Sequence, residues 1–163
     1  FRSIVDGLKG VHRFEAPASA SKDNAYDESV RRRTMESEHP LVRVHPETGQ
    51  RQLFVSPSFL KSISGMSPAE SQSMLEFLWE HTVRPEFTVR FKWEPGDIAM
   101  WDNRSTSHLA PQDIFQSDFD RQLYRITLVG DVPVGIDGKE STSLQGAPIL
   151  SVGEEMKLRA AAE

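Results

Sequence analysis

Three side chains carry most of the chemistry in this sequence: His108, Arg121 and Arg125. His108 closes the run Asn103-Arg104-Ser105-Thr106-Ser107-His108 and stands among small polar residues. A neutral imidazole in that setting suits iron, zinc or copper. Arg121 follows thirteen residues later, and Arg125 four residues after that. A guanidinium fork grips a carboxylate, sulfate or phosphate through two parallel hydrogen bonds. Residues four apart on a strand share a face. Two arginines on one sheet face are costly unless exposed or matched by an anion. The set describes an imidazole beside a pocket for a dianionic small molecule.

The elements that must position these groups read mainly as strands with a few helices. Glu94-Pro95-Gly96-Asp97 is a turn cluster. Ile98-Ala99-Met100-Trp101 is an apolar run of strand length, and Arg121 to Asp131 reads as a second buried strand. Upstream, Phe87 to Trp93 alternates with period two, which turns Phe87, Val89, Phe91 and Trp93 inward. Leu41-Val42-Arg43-Val44 and Gln52-Leu53-Phe54-Val55 form a hairpin about His45-Pro46-Glu47-Thr48-Gly49, with Gly49 placed for positive φ.

Ser67-Pro68-Ala69-Glu70 is a helix start, with Ser as N-cap, Pro at N1 and Glu at N3. That helix runs to about Thr82, with Met74, Leu75, Leu78 and Trp79 as its core stripe. Phe1 to Val11 reads as a helix tail stopped at Gly10, followed by a short strand from Val11 to Phe14. The segment beyond Asp131 is expected to be irregular, with a short helix from Glu154 to Ala162. His12, His39, His45 and His81 read as structural, and Arg31-Arg32-Arg33, neutralised by nearby acids, as a solvated face. Residues 16–38 are polar and read as a mobile loop, expected to lie as a lid over the substrate.

The 163 residues allow one domain. A net charge of −5 argues against nucleic-acid binding, though not against a locally basic pocket. The chain has no Cys, so disulfides and thiolate metal sites are excluded. No apolar run reaches membrane-spanning length, which makes a cytoplasmic location the default. The composition is compatible with a homo-oligomer.

Taken together, W-D-N-R-S-T-S-H and R-Q-L-Y-R-I-T-L-V-G-D resemble the C-terminal motif of the taurine dioxygenase family. These are Fe(II)- and 2-oxoglutarate-dependent dioxygenases, and they include oxidative alkylsulfatases. The resemblance extends through H-P-L-V-R-V-H-P-E-T-G-Q and R-P-E-F-T-V-R-F-K-W. It implies a double-stranded β-helix, or jelly roll. It implies His108 as the last ligand of a 2-His-1-carboxylate iron site and Arg121 on the distal carboxylate of 2-oxoglutarate. Arg125 would lie at the same anion pocket, near cosubstrate and substrate, and Phe59 where the family has a pocket aromatic. The implied reaction consumes O2, converts 2-oxoglutarate to succinate, and hydroxylates the carbon next to a sulfonate or sulfate ester, such as taurine or an alkyl sulfate. Asp102, Asn103 and Arg104 then read either as groups that fix the imidazole or as turn formers.

The sequence departs from the family in one respect: it contains no H-x-D pair. Its one H-x-E, His45-Pro46-Glu47, falls in a turn that the family does not use for metal. The expectation is therefore that residues 1–163 are the C-terminal portion of a single dioxygenase domain, whose other two ligands lie upstream. The rival reading is a truncated, inactive β-sandwich remnant or an anion-binding module. A third changes only the substrate, to an aryloxyalkanoate or another carboxylate.

Overall fold

A computed structural model describes residues 2–14, 35–109 and 122–161. Its centre is a four-stranded antiparallel sheet. Strand β1 (Lys9–Phe14) lies between β2 (Met35–Pro40) and β5 (Leu60–Ile63), and β6 (Thr142–Gln145) flanks β2. A second ladder joins β3 (Val42–Val44) to β4 (Arg51–Leu53). Cross-strand charges support the β1–β2 register: Arg13 opposes Glu36 and pairs with it at 2.7 Å, and Lys9 reaches Glu38 at 3.0 Å. The architecture is thus antiparallel sheet with a few helices.

The hairpin forms where the sequence places it. The His45 N–H donates to Gln50 O and the Gly49 N–H to His45 O, both at 2.9 Å, with Gly49 at φ +68. That left-handed φ favours glycine because a Cβ would crowd its own backbone carbonyl. The principal helix, α2 (Pro68–Thr82), starts with the expected reciprocal cap. Ser67 Oγ accepts from the Glu70 N–H, and the Ser67 N–H donates to the Glu70 carboxylate. Leu75 and Leu78 on its inner face are buried with Val5, Leu41, Val42, Val55, Leu60 and Ile63, and Met74 and Trp79 pack against them. A buried hydrogen bond from the Ile63 N–H to Ser71 Oγ, 2.7 Å long, fixes this helix to β5.

Several expectations are corrected. The N-terminal helix, α1 (Arg2–Val5), is a single turn. Gly10 does not stop a helix but lies within β1. A Cβ there would run into the side chains of Leu41 and Leu60, so close packing requires the glycine. Residues 35–38, assigned to a mobile loop, belong to β2, where pairing with β1 outweighs their polar composition. The rest of that loop, 15–34, lies outside the described residues. The tail is also more ordered than expected: it contains β6 and a nine-residue helix, α3 (Val152–Ala160), capped by Ser151 and Glu154.

The largest correction concerns the strands expected around the site. Residues 88–101 and 122–131 form no ladder. Phe87, Val89, Phe91 and Trp93 do not face a core; they are 63%, 94%, 57% and 38% exposed. Ile98, Met100, Tyr124, Ile126 and Leu128 are also exposed. Their sequence has strand character, but a strand needs a hydrogen-bonding neighbour and an apolar face needs a cover. Among the described residues these stretches have neither.

Candidate active site

Among the described residues, His108, Arg125 and Phe59 lie exposed on separate segments. His108 is exposed at the end of a polar turn, its ring centroid 4.9 Å from that of Trp101. Arg125 is exposed on the unladdered segment 122–131. Phe59 precedes β5, is 45% exposed, and stacks on Phe14 with centroids 6.4 Å apart. Arg121 lies outside the described residues. Among the described residues, no three His, Cys, Asp or Glu side chains are placed to hold a metal ion. An iron site of this kind needs three protein donors on one face. The accessible imidazole of His108 fits one of those places, and the described residues alone do not complete the set.

What the structure does assemble is a polar network around the turn before His108. The Asp102 carbonyl accepts from the Ser105 and Thr106 N–H groups at 3.1 and 2.9 Å and from Thr106 Oγ1 at 2.7 Å. One Asp102 carboxylate oxygen, Oδ1, accepts from the Arg104 N–H at 2.8 Å. The other, Oδ2, lies 3.0 Å from His45 Nε2. His45 is buried, and its Nδ1 accepts from the Glu47 and Thr48 N–H groups, both at 3.2 Å. With two donors aimed at Nδ1, the proton of the neutral ring is on Nε2, which therefore donates to Asp102.

Arg104 completes the network. Its guanidinium meets Asp102 at 2.7 Å, Glu47 at 2.7 Å and Asp131 at 3.7 Å. Asp131 in turn pairs at 2.5 Å with Arg43, which is 2% exposed and lies over the Phe54 ring. Hydrogen bonds from the Arg104 side chain, then from His45 and from the Arg104 backbone, hold the Asp102 carboxyl well below the usual carboxylate range. Its side-chain hydrogen bonds to Asp102 and then to Glu47 push the Arg104 guanidinium up.

Sequence reasoning left Arg43, His45 and Asp131 without a role in this region. The pairs are 57 residues apart for His45–Asp102 and 88 for Arg43–Asp131, so no local spacing signals them.

A second polar feature lies away from this turn. The rings of His12 and His39 meet edge to face at 4.7 Å, and both pack on Phe54. Burial, and then the neighbouring His39, lower the His12 pKa to about 4; a hydrogen bond to the Phe54 backbone acts the other way. Burial, and then Arg43, lower that of His39 to about 4.

Comparison with known proteins supplies the class. Residues 1–127 match the family described as "Taurine catabolism dioxygenase TauD, TfdA family". The chain belongs to that family. It is 41% identical over 147 residues to an alpha-ketoglutarate-dependent sulfate ester dioxygenase of Pseudomonas putida, covering 86% of this chain and 48% of that protein. It is 39% identical over 151 residues to an alkylsulfatase of Acinetobacter baylyi, covering 88% and 47%. A crystal structure of a taurine dioxygenase from Burkholderia xenovorans superposes with a TM-score of 0.78 at 62% identity, covering 90% of this chain and 47% of that one. The chain thus spans about half the length of these relatives.

Proposed function

We propose that these residues form the C-terminal portion of an Fe(II)- and 2-oxoglutarate-dependent dioxygenase with a jelly-roll domain. Its substrate is a small sulfonate or sulfate ester. The observation that carries this reading is the His108–Arg121–Arg125 spacing, found in a chain whose relatives are named for oxidising sulfate esters and taurine. The exposed apolar faces of residues 87–101 and 122–129 support the accompanying reading of the fold. They are the half of a sheet sandwich that the remainder of a longer polypeptide covers.

In this reading His108 supplies one imidazole donor to the metal. Arg121 holds the far carboxylate of 2-oxoglutarate, and Arg125 faces the anionic end of the substrate. A guanidinium orients each anion through paired hydrogen bonds, which aligns the reacting carbon with the metal. When bound, Fe(II) supplies the activation of O2 that the side chains cannot. Phe59 gives the pocket an apolar wall. The protein requires no nucleic acid or membrane and acts in the cytoplasm.

Succinate formation by the longer polypeptide, with Fe(II), 2-oxoglutarate and O2, tests this assignment. Alkyl sulfates, taurine and an aryloxyalkanoate are the panel. Succinate above the substrate-free rate is expected with a sulfate ester or the sulfonate, and its loss in His108→Ala. Turnover of the aryloxyalkanoate alone would replace the substrate class. No stoichiometric Fe(II) and no turnover would leave an inactive remnant.

A further inference from the structure

We propose that His45 is a positioning residue: through Asp102 and Arg104 it fixes the turn that presents His108. The inference rests on the reading of His108 as a metal ligand. His45 is anchored at both ring nitrogens, by two backbone N–H groups of the hairpin turn on one side and by Asp102 on the other. Asp102 nucleates the turn 102–106 through its carbonyl and through Oδ1. Trp101, immediately before Asp102, has its ring against that of His108, and its indole N–H donates to Asn103 Oδ1 at 2.9 Å. The turn is therefore closed on itself at both ends and attached to the hairpin, through its buried His45, at one carboxylate.

Arg104 extends the attachment. It bridges Asp102 to Glu47 of the hairpin turn and approaches Asp131, which the buried Arg43 holds. Asp131 lies six residues after Arg125. The segment 131–135 is also laid against β3 by a hydrogen bond from the Val44 N–H to Val134 O, 2.9 Å long. One hairpin thus holds both the turn before His108 and the segment that follows Arg125. Among the described residues neither segment has a ladder of its own, and this polar network is what attaches the turn 102–106 to the hairpin. Groups that orient a ligating histidine from behind commonly change metal affinity by about 10–100-fold when removed.

Titration of the longer polypeptide with Mn(II), followed by electron paramagnetic resonance, tests this without turnover. His45→Leu and Asp102→Asn are expected to weaken Mn(II) binding by about tenfold or more. His45→Gln, which keeps an N–H near the Nε2 position, is expected to recover most of it. Asp102→Asn keeps the side-chain volume and carries the test where His45→Leu fails to fold. Folded His45→Leu or Asp102→Asn protein that binds Mn(II) within about twofold of the unsubstituted protein overturns the inference. His108→Ala is the control for the underlying reading. If it binds Mn(II) normally, His108 is not a ligand, and the reading fails rather than the positioning argument alone.

Discussion

His12 and His39 show how a residue's surroundings can make it sensitive to pH without making it catalytic. Each is held neutral, with a pKa near 4 against an ordinary 6.5. In the unfolded chain both take up a proton as pH falls through about 6.5. In the folded chain they resist protonation until about pH 4. Their contribution is therefore fully present above the unfolded value and is lost progressively between about pH 6.5 and 4. The upper bound is roughly 3 kcal/mol for each ring, and less for the pair than the sum, because the two interact. Urea midpoints measured from pH 7.5 to 4.5 are expected to fall, and His39→Gln to flatten the fall. A flat profile in the unsubstituted chain would show that these rings are not buried as described.

Among the elements, the capped helix α2 is held by local chemistry and should respond to single changes. Ser67→Ala removes the N-cap acceptor and is expected to cost about 1 kcal/mol in chemical denaturation, with no change in the hairpin. Elements of this kind were legible in the sequence. The Ser67–Glu70 box and the glycine at the hairpin turn each declare themselves within five residues. The start of α3 carries the same signature, Ser151 with Glu154, but Gly153 inside the box weakens it, so the helix was expected to begin two residues too late. Strand β6 was missed because Thr-Ser-Leu-Gln has no apolar alternation; it is a strand because the edge of β2 is there to pair with. Gly10 was misread because its reason lies in Leu41 and Leu60, distant in sequence. Of the proposed site, the types and spacing of His108, Arg121 and Arg125 were legible, and so was the hairpin, but its long-range bonds from His45 to Asp102 and from Arg43 to Asp131 were not.

For the molecule as a whole, the uncovered apolar segments decide its behaviour. Exposed hydrophobic surface of this extent marks an interaction site or an aggregation liability, and in the proposed reading the remainder of a longer polypeptide covers it. Amide hydrogens of residues 88–100 and 122–130 in the isolated chain are expected to exchange near the unfolded rate, while those of β1, β2 and α2 are protected. In the longer polypeptide the same amides should become protected as ladders form. Equal protection in the two contexts would mean that the 163 residues already satisfy these segments. No helix among the described residues is long and apolar enough to cross a membrane.

The family match ends at residue 127, yet β6 at Thr142–Gln145 is hydrogen-bonded along β2. Boundaries drawn from the match would therefore amputate an edge guard. The β2 margin at Glu36 to Glu38 would then be bare, and a bare margin recruits strands from other molecules. Expression of residues 1–127 should yield aggregates in which that margin has found a substitute, whereas the intact tail keeps it occupied.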